Sequence, residues 1–331
     1  WWVQDIDQKP LNMSRILITG GAGFIGSHVI QALEQAGGHD IVNVDEVNDY
    51  YPVEFKQHNL SLLTNYTRYT FYQKDINDLA AIEKIVQQHQ PEVVVHLGAR
   101  AGVRRSMAEP ALYKTAIYEG TKGLVELANR YGVKQFIFGS TSAVYGNKPT
   151  PFSETVTNLE PISEYAKFKL MAEQWLQTNQ SKTKLPTTIL RFFTVYGERG
   201  RPDMAPYLFT EAILRGQTIK KFGDGTTSRD YTYISDIVSG IMAAIQQPFD
   251  FEIINLGNHQ AVSLNDFIAT LEDITQLTAK IEAAPGYDWD ANHTLADISK
   301  AQRLLGYQPR TTLRAGLQRF VDWYRVNRLW C

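Results

Sequence analysis

Cysteine is almost missing from this chain. Its single occurrence in 331 residues is Cys331, which excludes an internal disulfide, a thiolate zinc site and a cysteine nucleophile, and leads to the expectation of a reducing, cytoplasmic setting. No run of 18 apolar residues occurs, so no helical membrane span is expected. The first 13 residues carry Asp5, Asp7 and Lys9 where a signal peptide has an apolar core, and 1–13 is read as an N-terminal extension outside the fold. Positive charge is not in surplus: 33 Lys and Arg stand against 35 Asp and Glu, a formal net charge of -2. Nothing then compensates a nucleic-acid backbone, and neither nucleic acid nor membrane is an expected partner. The seven histidines do not cluster with carboxylates or thiols; His28 and His96 fall in apolar surroundings and are read as core residues, with no metal expected.

What is present is an alternation. Short β-branched runs at Arg15–Thr19, Asp40–Val44, Arg68–Gln73, Glu92–Leu97 and Gln135–Gly139 are separated by helical patterns, which predicts an α/β fold with a doubly wound parallel sheet. Continuous apolar stretches such as Val93-Val94-Val95 fit strands covered on both faces. After Thr187–Phe193 the chain is punctuated by Gly197, Gly200, Pro202, Pro206, Gly216, Gly223 and Gly225, and shorter, less regular helices are expected. The division expected is a Rossmann domain over 14–190, with a returning strand near 251–256, and a smaller interleaved substrate domain over most of 191–331.

Gly20, Gly23 and Gly26 follow the first strand and open a helix, in G-x-x-G-x-x-G spacing. Such a turn lets backbone approach a pyrophosphate at a helix N-terminus. Asp45 stands 19 residues beyond Gly26 at the end of the second strand, where a carboxylate accepts ribose hydroxyls and repels a 2'-phosphate, favouring NAD over NADP. The competing reading of Asp45 is a turn residue or helix cap. Asp75 and Ile76, just past the third strand, either start the helix containing Leu79, Ile82 and Ile85 or occupy a place where ligand contacts gather in such sheets. Tyr165 and Lys169, four residues apart, share one helix face. Phenol ionises near pH ~10, and a neighbouring ammonium favours the phenolate that a base requires. Ser140-Thr141-Ser142 adds hydroxyls at the end of a strand, able to orient and relay the proton of a sugar alcohol.

With these residues the chain from about 15 to 324 resembles the extended short-chain dehydrogenases/reductases, the nucleotide-sugar epimerase and dehydratase family. The resemblance implies a bound NAD, a C-terminal nucleotide-sugar site and transient oxidation at carbon 4 of a UDP-sugar. It further implies cofactor contacts from Gly20, Gly23, Phe24, Ile25, Gly26, Asp45, Asn48, Asp75, Ile76, Leu97, Ala99, Tyr165 and Lys169. Tyr165 would be the base, Lys169 its electrostatic partner and Thr141 the hydroxyl relay, a role that Ser142 would share. Ala101-Gly102-Val103-Arg104 and the stretch from Arg191 through Thr194 to Gly200-Arg201-Pro202-Asp203-Met204 are similar to UDP-glucuronate 4-epimerases.

Thr194 and Arg201 are then the expected readers of a uronate carboxylate, which a guanidinium can meet with paired hydrogen bonds; otherwise Arg201 sits in a solvated Gly-Pro loop and binds nothing. Ala143 stands where related decarboxylases and dehydratases carry a carboxyl acid-base group, so epimerisation is the expected outcome. Arg104, Ser142, Arg229 and Asp288 complete the expected sugar-nucleotide contacts, with an ion pair to Asp230 or Asp224 as the alternative for Arg229. Arg100 and Ile117 replace a glutamine and an asparagine common in relatives. The segment Pro285–His293 is longer and more acidic than usual, and the small Thr294 would admit a bulky or charged group on the sugar. UDP-glucose or UDP-N-acetylglucosamine epimerisation, uronate decarboxylation, and a non-catalytic NAD-binding regulator remain as alternatives. Helices over 111–131 and 165–178, bearing Tyr113, Ile117, Leu124, Leu127, Leu170 and Trp175, would pair into a four-helix bundle in a homodimer, unless those residues simply pack on the sheet.

Overall fold

The structure is a computed structural model and describes residues 13–286 and 291–327. Twelve strands are present among them: β1 (Arg15–Thr19), β2 (Asp40–Asp45), β3 (Tyr69–Gln73), β4 (Val93–His96), β5 (Gln135–Thr141), β6 (Thr187–Phe192), β7 (Thr194–Tyr196), β8 (Thr218–Phe222), β9 (Ser228–Tyr233), β10 (Phe251–Leu256), β11 (Ala261–Ser263) and β12 (Lys280–Ala284). Seven of them form one sheet in the order β10-β6-β5-β4-β1-β2-β3, every neighbouring pair parallel. The order reverses between β1 and β4, the place where a doubly wound sheet opens a crevice at its carboxyl ends.

Side-chain alternation along each strand builds two cores. Ile16, Ile18, Val93 and Val95 face one way, into a cluster with Val29, Leu33, Ile237 and Ile241. Leu17, Val94, Phe136 and Phe138 face the other, against Ile82, Leu124, Ala172 and Leu176. Because helices cover both faces, strands such as β4 are buried at every position. The remaining strands make two small sheets, β11-β9-β7 and β12-β8.

The expectation of shorter helices after residue 193 is not met: Ile234–Gln246, Leu264–Thr275 and Leu313–Asn327 have 13, 12 and 15 residues. The glycines lie between elements instead of inside them, with Gly216, Gly223 and Gly225 at positive φ in the turns. Among the described residues no helix is long and apolar enough to cross a membrane. The helical run over 110–130 contains a π-helical stretch, Lys114–Glu119, that places Ile117 beside Tyr113 and Phe168. Tyr113, Ile117, Leu124, Leu127 and Leu170 are buried within the single chain, so these five pack inward; Trp175 is half-buried.

Candidate active site

The carboxyl ends of β1, β2, β4, β5 and β6 open into one cleft of about 1360 Å³, larger than a single drug-sized ligand needs. At one end Gly20, with φ +77°, closes the turn after β1, and the Gly23 amide donates to the Gly20 carbonyl at 3.1 Å. A Cβ on Gly26 would lie 2.3 Å from that same carbonyl oxygen and 2.7 Å from the Gly21 Cα, so only glycine lets the helix Phe24–Ala36 start this close to the loop. No side chain caps that helix at Gly23. This cradle of backbone at a helix N-terminus fits a dinucleotide diphosphate.

Asp45 has both readings at once. Its carboxylate lines the cleft and also accepts from the amides of Ala22 (3.1 Å) and Val47 (2.8 Å), tying the glycine loop to β2. Burial pushes its pKa up, against the pull of the Lys56 ammonium and the two amides. Lys56, which sequence patterns did not single out, donates to the Asn48 carbonyl (3.1 Å) and side chain (2.8 Å) and so holds the loop after β2. Asp75 accepts from Asn77 while lining the cleft with Asn48, Ile76, Leu97 and Ala99.

Thr141, Tyr165 and Lys169 line the same cleft. Ser163 caps the helix Glu164–Thr183 by accepting from the Ala166 amide at 3.2 Å, which fixes where Tyr165 enters the cleft. The Thr141 hydroxyl accepts from the Ala143 amide at 3.2 Å and lines the cleft with Tyr165. Burial pushes the Tyr165 pKa up; the Arg201 charge and the Thr141 contact draw it back. The Lys169 ammonium donates to the Gly139 carbonyl at 2.6 Å and lies 4.5 Å from the centre of the Phe138 ring. Burial lowers its pKa to about 7, opposed by the charge of Glu173.

Glu173, four residues past Lys169, was not recognised from the sequence, although the four-residue spacing from Tyr165 through Lys169 continues to it. It is buried and meets Arg191 of β6 with three hydrogen bonds of 2.6–3.2 Å. Parallel register sets Ser140 beside Arg191, and the Ser140 hydroxyl donates to Glu173. The Ser140 hydroxyl is therefore engaged by this ion pair, while Thr141 and Ser142, which also line the cleft, make no hydrogen bond with Glu173.

Thr194, Arg201, Arg104, Arg229 and Thr294 all line the cleft. Arg201 is not in a solvated loop: its side chain is about 21% exposed, and its fork is filled by Asp203, at 3.0 Å from Nε and 2.6 Å from Nη2. Asp203 also accepts from the Tyr50 hydroxyl at 2.9 Å, and the Tyr50 ring centre lies 5.5 Å from the guanidinium. A Cβ on Gly102, at φ +93°, would overlap the Tyr50 hydroxyl, which gives the glycine of the Ala101–Arg104 stretch its physical reason.

Arg229 donates to the carbonyls of Ser228 (2.9 Å) and Asn292 (3.2 Å). Asp230 turns its carboxylate to the amides of Asn258 and Ala296 and to Thr232, and Asp224 turns to Thr226. Thr294 accepts from the Asp230 amide at 3.0 Å. Arg100 lines the cleft 3.9 Å from Glu46. Asp288 lies outside the described residues.

A model of the NAD dependent epimerase/dehydratase family matches residues 16–257. A UDP-glucuronate 4-epimerase of Thermodesulfobacterium geofontis is 40% identical over 95% of this chain and 97% of its own length. The crystal structure of a UDP-glucuronic acid 4-epimerase from Bacillus cereus, in complex with UDP-glucuronic acid and NAD, is 36% identical with a TM-score of 0.90, over 94% of this chain and 99% of that one. MoeE5, in complex with UDP-glucuronic acid and NAD, is 32% identical with a TM-score of 0.85 over 94% of this chain and 99% of its own, and it is also known in complex with UDP-glucose and NAD.

Proposed function

The chain belongs to the NAD-dependent epimerase/dehydratase family, and from that premise we propose that it inverts carbon 4 of a UDP-sugar, interconverting UDP-glucuronate and UDP-galacturonate. The observation that carries the reading is the convergence of Tyr165, Thr141 and Arg201 on one cleft that also contains the glycine cradle. NAD, when bound, would supply a reversible hydride acceptor, and the Gly20–Gly26 turn, Asp45 and Asn48 would hold it.

This chain's residues manage the proton and the sugar. Tyr165 takes the proton of the carbon 4 hydroxyl, directly or through Thr141, and returns it after the ring has turned over about its diphosphate. A buried phenol resists ionisation; the Arg201 charge and the Thr141 hydroxyl offset that burial. Lys169, anchored on the Gly139 carbonyl, adds a cation on the same helix face. Arg201, Thr194 and Ser142 receive the sugar carboxylate, and Arg104 and Arg229 the nucleotide diphosphate side. Ala143 offers no carboxyl group for decarboxylation or dehydration, and the lyase and regulator alternatives gain no support.

The same proposal places the cofactor in 14–190 with β10, and the sugar nucleotide mainly in 191–331. Two copies would pair through the helices 110–130 and Glu164–Thr183, on which Leu112 is exposed and Tyr118, Met171 and Trp175 are half-buried; a scattering mass of one chain would refute that. A cytoplasmic site is proposed from the single cysteine.

Incubation with UDP-glucuronate, resolving UDP-galacturonate from UDP-pentoses, tests the function. UDP-galacturonate is the expected main product, and Arg201→Ala is expected to lose it. A pentose as main product, or uronate turnover untouched in Arg201→Ala, overturns the assignment.

A further inference from the structure

The fork of Arg201 is not empty before a sugar arrives. Asp203 holds the Nε and Nη2 edge with two hydrogen bonds, and the Tyr50 hydroxyl fixes Asp203 from a different part of the chain, the loop after β2. The Tyr50 amide in turn donates to the Asn48 side chain at 3.2 Å. The paired hydrogen bonds expected between Arg201 and a ligand carboxylate are therefore already made inside the protein, and a ligand meets the remaining edge of a cation whose charge is largely balanced.

This changes what the arginine can discriminate. A cleft in which Arg201 had no carboxylate would be left with an uncompensated cation whenever a sugar without a carboxylate bound, and leaving a desolvated charge unpaired is what makes a site reject a ligand lacking the matching group. With Asp203 in place that penalty is small, while the carboxylate of a uronate comes close to a second carboxylate. We propose that Asp203, held by Tyr50, is a specificity-determining residue that narrows the preference of this cleft for a charged over a neutral group at carbon 6 of the UDP-sugar. The proposal rests on the UDP-sugar reading above and on Arg201 as the group facing carbon 6; it assigns Asp203 no contact with the reacting atoms. A related cleft does hold both classes of ligand, since MoeE5 is known with UDP-glucuronic acid and with UDP-glucose.

The test is a ratio of affinities, Kd for UDP-glucose over Kd for UDP-glucuronate, measured calorimetrically on the NAD-loaded protein. A Tyr165→Phe background keeps either sugar from being converted. Asp203→Asn keeps the shape and one acceptor but removes the charge, and is expected to raise the ratio at least tenfold. Asp203→Glu, which keeps the charge, is expected to stay within threefold of the parent. In an Arg201→Met background Asp203→Asn is expected to move the ratio less than twofold, which a merely structural role for Asp203 would not produce. A ratio unchanged or lowered by Asp203→Asn overturns the proposal.

Should Asp203→Asn not fold, Tyr50→Phe reads the same contact. Without the hydroxyl that fixes it, Asp203 holds Arg201 less firmly, and the ratio is expected to rise about threefold; an unchanged or lowered ratio overturns the proposal. Failure of the wild-type protein to convert UDP-glucuronate would refute the function above while leaving these ratios to decide this inference separately.

Discussion

Acid should destabilise this protein through His96, and the amount follows from its hydrogen bonds. The Gly98 amide donates to the Thr19 hydroxyl at 3.0 Å, and that hydroxyl lies 2.6 Å from His96 Nδ1. On the other side His96 Nε2 lies 3.0 Å from the Thr121 hydroxyl, which donates to the Ile117 carbonyl at 2.5 Å. Each threonine has one proton to give. Thr121 spends its own on Ile117, so Nε2 must be the donor to Thr121, and Thr19 donates to a bare Nδ1. The chain is complete only with a neutral ring.

Burial, and secondly the Lys169 charge, lower the His96 pKa to about 3 from an ordinary 6.5. Between these values the unfolded chain takes up a proton that the folded one refuses, so stability falls as pH drops below about 6.5. At pH 5 the deficit of about 1.5 pH units is worth about 2 kcal/mol. Urea unfolding of the wild type and His96→Gln at pH 7.5 and 5.0, at fixed NAD, measures it. Other titrating groups act alike in both proteins and cancel. The wild type should lose about 2 kcal/mol more than the variant; equal losses would show that the ring accepts its second proton without cost and that the proposed tautomer chain is wrong.

Three further outcomes follow from the geometry. Tyr165→Phe should reduce epimerisation by about 10²–10⁴-fold, the usual contribution of a positioned acid-base group, with UDP-glucuronate still bound by calorimetry; retained turnover would remove Tyr165 from the mechanism. Gly26→Ala brings a methyl against the Gly20 carbonyl and, at an overpacking cost of about 1–3 kcal/mol, should weaken NAD affinity at least tenfold by fluorescence titration, whereas normal affinity would refute the tight cradle. Glu173→Gln leaves the Arg191 charge buried beside a neutral amide and should cost about 3–5 kcal/mol in denaturant unfolding, while a Glu173→Leu, Arg191→Met double variant should recover most of it. If the single and double variants are equally unstable, pairing is not what the two groups contribute.

The sheet was legible in the chain because strands covered on both faces are mostly apolar, a buried charge such as Arg191 needing its own partner: β1, β4, β6 and β10 stand almost where the apolar runs lie. The cofactor end was legible for a related reason. Gly20 and Gly26 must be glycine on steric grounds, so their spacing records the shape of the turn, and Asp45 is tied to that turn by local chain geometry. Tyr165 and Lys169 were visible because one helix carries both.

Contacts that join distant segments leave no such periodic trace. That Arg201 is met by Asp203 and steadied by Tyr50, 153 residues from Asp203 in the chain, depended on how the loop after β2 folds across the cleft. That Ser140 serves Glu173 depended on the register of β5 against β6, since a shift of one residue turns every side chain to the opposite face. Residue spacing thus carried the fold class, the glycine cradle and the shared helix face of Tyr165 and Lys169, because local sterics and helix periodicity act within a few residues. Tertiary structure alone decided which charges neutralise which: Coulomb partners are chosen by distance in space, and the chain approaches itself only once the two cores have closed.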